Sequence, residues 1–487
     1  MEQRSGYGKL NKSAVKPWLI VMLTGMLTAC LVGPDYHRPT VSVAAGYKEL
    51  AGWTAASPAD AAPKGDWWTD FHDPLIDRLE PMVAVSNQTV RQNFANYQQA
   101  LAEVKVARSE LFPTIGLTGS ASRSAGGSAG TSGTTGRAVN TGALEGTASW
   151  TLDVWGQVRR LIQENAATAQ ADEATLANAT LSEQALLATT VIELRLSDAE
   201  IDLERQTVDA YRVTLAIVEK QAAAGVTLAP PSVVITARVA LETAQASLIS
   251  FGVARAQYAH AIAVLVGKNP EELDIAHSTE MPTLPAVPAG VPSTLLQRRP
   301  DIAAAERIMA SQNAAVGVAV AAYYPTLSLS GAAGFTQTPL AGLLNAANHV
   351  WSIGAAGTET VFDFGKRHAQ VEAAKAAYEA AVASYRGTVL AAFEAVENDL
   401  SGLRILAEQA DALDIAVRDA TRGTQIALAE FQAGTVDYTI VAAAQETQLA
   451  DQQSALLVRE NRLADAVSLI ADLGGGWSDD KLHDPLK

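Results

Sequence analysis

Few residues in this chain could do chemistry. Gly126-Gly127-Ser128-Ala129-Gly130 fits the G-x-S-x-G spacing of a serine nucleophile. That chemistry needs a strained strand-to-helix turn that lifts the hydroxyl clear of its neighbours. Here the pentapeptide sits in a Gly/Ser/Thr tract, Ser124 to Gly136, with no helical pattern after it. The seven histidines (His37, His72, His260, His277, His349, His368, His483) show no metal-ligand spacing with each other or with carboxylates. There is no phosphate-binding glycine loop, and the Glu and Arg of the helical stretches are spaced as solvated faces and inter-helix pairs. An enzyme has only the G-x-S-x-G match in its favour, so no catalytic or metal residue is assigned and no cofactor is expected beyond a covalent lipid.

That lipid is suggested by the N-terminus. Arg4, Lys9, Lys12 and Lys16 precede an apolar run from Trp18 to Leu27, too short to span a bilayer as a mature helix. The run ends in Leu27-Thr28-Ala29-Cys30, which resembles a bacterial lipobox, with cleavage before the cysteine and lipid carried on it. Cys30 is the only cysteine, so no internal disulfide is possible. Residue +2 is Leu31 rather than Asp, and in similar lipoproteins the absence of that Asp goes with transfer to the outer membrane. Residues 1–29 carry four basic residues and Glu2, so their removal shifts the net charge from −16 to −19. A surface of that sign lacks the basic stripe that nucleic acid requires, and it is compatible with cationic or zwitterionic cargo.

The elements that follow are written twice. Phe112-Pro113-Thr114, Asp153 with Gly156, and Gly225 recur as Tyr324-Pro325-Thr326, Asp363 with Gly365, and Gly434, and both glycine-to-glycine distances are 69 residues. Leu187, Leu194, Ile201, Val208 and Leu215 recur every seventh residue between the first pair of glycines, and Val396, Leu403, Ala410, Val417 and Thr424 stand 209 positions further on. A straight helix of that length is roughly 100 Å long and must pack along a seam. Four segments, about 113–122, 143–153, 325–335 and 350–362, alternate apolar with small or polar residues. The fourth is the least regular, because Glu359 shares a face with Trp351 and Ile353. Strands with one apolar and one polar face suit a closed transmembrane barrel. Four cannot close around a channel, so several chains must contribute, and three would give twelve strands. The fold class expected is mainly α with a membrane β part.

The domain reading is a signal peptide (1–29), a lipidated Pro- and Ala-rich tether (30–66), a first repeat (67–268), a linker (269–299), a second repeat (300–475) and a tail (476–487). Within the first repeat, an amphipathic segment runs from Trp67-Trp68 to Val85 and a helix from about Thr89 to Leu111, where Pro113 stops it.

Several ordered motifs carry a family resemblance. Cys30-Leu31-Val32-Gly33-Pro34-Asp35-Tyr36 with Pro39 resembles the mature start of the outer-membrane efflux lipoproteins of the NodT type, within the TolC and OprM family. Trp67-Trp68, Phe71, Asp73-Pro74-Leu75 and Asn87 are similar to its next block, and Leu295-Leu296-Gln297-Arg298-Arg299-Pro300-Asp301-Ile302 with Glu306 to its central motif. The resemblance covers Cys30 to about Gly474. It implies a homotrimer with a twelve-stranded barrel in the outer membrane and an α-helical tunnel in the periplasm. It also implies docking to a periplasmic adaptor and an inner-membrane pump, and passive export of drugs, dyes, metals or similar small molecules.

One departure bears on the gate. Relatives commonly place an acidic residue nine positions beyond the equivalent of Gly434, at the constricted periplasmic tip, and this chain has Ala443 there. The turn glycines Gly225 and Gly434 then predict a tip at which Asp437, Tyr438, Ile440, Val441 and Ala443 approach the axis, closed by apolar packing and by a hydrogen bond from Tyr438. A competing reading from the residues is a lipid-anchored periplasmic scaffold whose coiled coils bind a protein without forming a pore, with the strands capping the helices as a small soluble sheet.

Overall fold

The computed structural model describes residues 31–40, 46–49, 65–125, 138–225, 230–286 and 297–486. Helices α1 (Pro74–Ser86) and α2 (Gln88–Ser109) lead into strands β1 (Thr114–Ser124) and β2 (Val139–Leu152), then the long α3 (Gln157–Ala223) and α4 (Pro231–Leu265). The second half repeats the order with α5 (Pro300–Ala321), β3 (Thr326–Gln337), β4 (His349–Thr358), α6 (Lys366–Gln432) and α7 (Tyr438–Asp472). The long helices α3 and α6 are 67 residues each and their successors α4 and α7 are 35 each, so the duplication extends to element length.

Local chemistry sets the element ends. The Asp73 carboxylate accepts from the Leu75 and Ile76 N–H groups, capping α1 with Pro74 at its first turn. Asn87 does the same for α2 through Thr89 and Val90, while its own amide reaches the Leu265 carbonyl at 3.0 Å. The stretch from Trp67 to Val85 is therefore two elements, a short 3-10 turn (Trp67–Phe71) and α1. Gly434 (φ 76°) closes α6, with the Gly434 N–H on Phe431 O and the Thr435 N–H on Glu430 O, and Gly225 (φ 72°) occupies the matching corner after α3.

The described residues fall into two compact units, and the division cuts across the repeats rather than between them. One unit holds the sheet with the helix ends that run into it, from 31–38, 101–168 and 309–381. Its sheet is antiparallel throughout, in the order β1-β2-β3-β4. The other unit is helical. Its main core joins Trp67, Phe71, Leu75, Leu79 and Val83 to Leu187, Val191 and Leu194 of α3, Ile262 and Leu265 of α4, Val396 and Leu400 of α6, and Leu463 and Val467 of α7. The seventh-residue seam contributes Leu187 and Leu194 to this core, and further along α3 it is buried at Ile201 and at Val208, the latter in a separate cluster with Leu241 and Ala244. In α6 the same seam is buried at Val396 and Leu403 and half-buried at Ala410, Val417 and Thr424.

Described parts of the tail and of the linker are packed as well. Trp477 and Leu482 lie against Ala174, Ala303 and Ala304, and Ile275 is buried in the main core.

Candidate functional site

The sheet presents two chemically different faces. Ile115 and Leu117 of β1, Leu329 of β3, and Trp351 and Ile353 of β4 share one face and are exposed in the single chain, Ile115 to 81% and Ile353 to 82%. Water would leave such a surface uncovered at a large cost. The opposite face carries Thr118, Ser120 and Ser122, paired through β2 residues Glu145, Ala143 and Thr141, and then Ser328 and Ser330 of β3. Alternation at period two thus assigns an apolar side for lipid and a polar side for a lumen. β4 stops at Thr358 rather than near 362, because it is an edge strand and its partner β3 begins at Thr326, directly opposite Thr358. Glu359 lies beyond the strand, in an ion pair with Arg367 at 2.9 Å, so the irregularity of the fourth segment is the end of the strand.

Each strand-to-helix corner carries the same device. Asp153 accepts from the Val158 and Arg159 N–H groups and from Arg159 Nε at 3.0 Å. Asp363 accepts from the Gly365 and Arg367 N–H groups and from Arg367 Nε at 2.7 Å. Trp155 closes the first corner by stacking on Tyr324 at 4.9 Å and donating its indole N–H to Pro325 O at 2.8 Å.

Cys30 lies outside the described residues, and the chain just after it, 31–38, is seated against the unit that holds the sheet. The Val32 N–H donates to Trp155 O, and buried Arg160 donates to Val32 O, Gly33 O and Asp35 Oδ1 at 3.0, 3.1 and 2.9 Å. Gly33 passes so close to Gly317 that an added Cβ would sit 2.5 Å from the Gly317 Cα. In the helical unit, the Lys48 and Glu49 N–H groups donate to the Glu397 carboxylate, Arg404 pairs with Glu49, and Tyr47 is buried. The second repeat has Ala369 where the first has Arg160, so only the first repeat can hold this segment in that way.

At the helix turns, Val218 of α3, Ala237 of α4, Ala427 and Phe431 of α6, and Tyr438 and Val441 of α7 form one small core. The Phe431 and Tyr438 rings meet edge-on at 6.0 Å, and buried Gln445 donates to Thr214 Oγ1 at 3.1 Å. Of the five residues expected at the gate, Tyr438 and Val441 therefore face the chain's own helices. Asp437, Ile440 and Ala443 are exposed, and Ile440 and Ala443 are neighbours on one helix face. Burial raises the pKa of the Tyr438 hydroxyl.

The central motif works as a brace. Arg299 pairs with Asp301 at the start of α5 and with Asp472 at the end of α7, each at 2.8 Å. Buried Arg195 likewise pairs with Asp73 at 3.0 Å, binding the α1 cap to α3. Sequence reading missed Arg160 and Arg195, since nothing in their spacing marks them as partners of residues more than a hundred positions away. The G-x-S-x-G pentapeptide lies outside the described residues, and among those described no three His, Cys, Asp or Glu side chains converge to hold a metal ion.

Comparison with known proteins follows the same outline. A family model described as "Outer membrane efflux protein" matches residues 81–268 and 291–475. The chain is 28% identical over 455 residues to the antibiotic efflux pump outer membrane protein ArpC of Pseudomonas putida, covering 93% of this chain and 94% of that one. It is also 28% identical over 456 residues to the cation efflux system protein CusC of Escherichia coli, covering 93% and 96%. The solved outer-membrane channel OprN matches with 30% identity and a TM-score of 0.85, over 92% of this chain and all of OprN.

Proposed function

We propose that this chain, which belongs to the outer membrane efflux protein family and is an outer-membrane efflux channel, works as a homotrimer coupled to a periplasmic adaptor and an inner-membrane pump. In this reading each chain gives four strands to a twelve-stranded barrel, and the helix pairs α3–α4 and α6–α7 of three chains form a helical tunnel. The observation that carries the reading is the sheet: one apolar, exposed face, one polar face, and two unpaired edges that a single chain has no means of closing. The helices agree with it. α4 exposes Ile235, Val239, Ile249 and Val253, a stripe that neighbouring chains would cover.

Transport is passive and the lining selects weakly, so the pump and adaptor choose the cargo. Relatives equally similar to this chain are named for antibiotic and for cation efflux, which supports a conduit for small molecules of several kinds. We assign no catalytic step and no cofactor; the one covalent group is lipid on Cys30, fixing the chain to the inner leaflet of the outer membrane.

The test is made on membranes of cells expressing the chain. Wild type is expected to migrate as a heat-modifiable trimer labelled by palmitate, and Cys30→Ser as a less abundant trimer without label. Equal labelling of the mutant would remove the anchor from the account. A palmitate-labelled monomer without heat-modifiable migration would favour a lipid-anchored scaffold.

A further inference from the structure

Ionisable side chains are scarce on the sheet, and their placement differs between its faces. On the apolar face Arg123 and His349 stand at the loop ends of β1 and β4, where a membrane strand meets the headgroups and a charge costs little. On the polar face the paired strand residues are Gly, Ala, Ser and Thr, with Val139 and Val350 at the loop ends and a single exception, Glu145. Glu145 is seventh of the 14 residues of β2, so it stands near the middle of the strand.

Its surroundings leave the carboxylate open. Thr118 stands directly opposite on β1 and donates its hydroxyl to the Glu145 carbonyl at 3.3 Å, so that hydroxyl is engaged by the backbone. Gly334, opposite on β3, offers no side chain, and a Cβ added there would lie 2.2 Å from Leu144 O and 2.6 Å from Glu145 Cα. No Lys, Arg or His among the described residues pairs with the carboxylate. An ionisable group at membrane depth faces the protein interior or a water-filled cavity and marks the path of what passes. A longer side chain among Gly, Ala, Ser and Thr also reaches furthest from its wall.

Resting on the trimeric reading above, we infer that Glu145 sets the charge preference of the barrel: three carboxylates, one from each subunit at the same height, draw cations through the lumen and hold back anions. Substitutions on the lumen face of such barrels tune selectivity, and a ring of like charges is the usual means. The ring acts through its field, which reaches about 10 Å at 0.1 M salt and about 3 Å at 1 M. The preference therefore fades as salt rises. It biases passage by charge and leaves recognition of cargo to the adaptor and pump. The rival source is the rest of the chain, which carries the whole net charge of −16, since Arg123 and Glu145 cancel within the strands.

The reversal potential of purified protein in planar bilayers under a KCl gradient separates the two sources. Heat-modifiable migration first shows that each variant has assembled. Wild type is expected to prefer potassium over chloride, more strongly at low than at high mean salt. Glu145→Gln should shift the reversal potential towards zero, and Glu145→Lys should shift it further in the same direction. Glu145→Gln combined with Thr118→Glu returns a carboxylate to the same height of the same face, and it should restore the wild-type value. An assembled Glu145→Gln channel with the wild-type reversal potential would assign the preference to the helices and overturn the proposal, as would a wild type with no preference at all. An assembled double variant that behaves like Glu145→Gln alone would overturn the placement of the ring on the lumen face. Wild-type trimers inserted in the bilayer yet passing no current would overturn the channel reading instead.

Discussion

Glu80 of α1 is fully buried, neither carboxylate oxygen has a hydrogen-bond partner, and burial pushes its pKa up to about 9. The unfolded carboxyl ionises at about 4.5. Between those values the folded state holds a proton that the unfolded state has lost, so stability is full below pH 4.5 and falls as pH rises towards 9. The slope is at most about 1.4 kcal/mol per pH unit. Glu80→Gln is expected to flatten the decline in thermal midpoint of the detergent-solubilised protein between pH 6 and 9, and an unchanged slope would show that Glu80 does not control it. Nothing in the sequence singled out Glu80, because its neighbourhood exists only after α1 docks into the helical core. Asp73 and Asn87 were legible as family landmarks, and their roles as helix caps follow from their positions one residue before each helix. Ala443 is the residue at which the sequence departs from its relatives, and it is exposed. Ala443→Asp is expected to form a ring of three carboxylates that binds divalent cations and sensitises the channel to block. A stable mutant trimer with unchanged block in bilayer recordings would place Ala443 off the conducting path.

At the scale of elements, the strands and long helices were readable because each follows one period: two in the strands and seven along the helix seam. The difficult parts were those whose ends are set by a partner. β4 ends where β3 stops pairing with it, and the segment after Cys30 is held by carbonyl contacts to Arg160 that leave no trace in composition. At the helix turns, Tyr438 and Val441 pack against Val218, Ala237, Ala427 and Phe431 of the same chain, contacts between residues distant in sequence that no local period marks. The strand faces yield a direct expectation. Leu117→Arg or Leu329→Arg puts a charge at the lipid face and should cost roughly 2–4 kcal/mol at mid-depth, seen as loss of heat-modifiable protein in the outer membrane. Thr118→Arg or Ser328→Arg, on the polar face, should assemble at close to wild-type levels. Equal tolerance on both faces would contradict the assignment of the apolar side to lipid.

For the whole molecule, duplication explains both the economy of the fold and its incompleteness. Two copies of strand, strand, long helix and shorter helix give one closed joint and two unpaired sheet edges, which in the proposed trimer further copies of the chain satisfy. The most direct measurement is current through purified, heat-modifiable protein in planar bilayers, recorded for the wild type and for Tyr438→Ala, which removes a buried ring from the small core at the helix turns. Discrete conductance steps are expected from both, with larger or more frequent openings in the variant as the turns loosen. Trimers of both proteins shown to be inserted in the bilayer yet passing no current would contradict the channel.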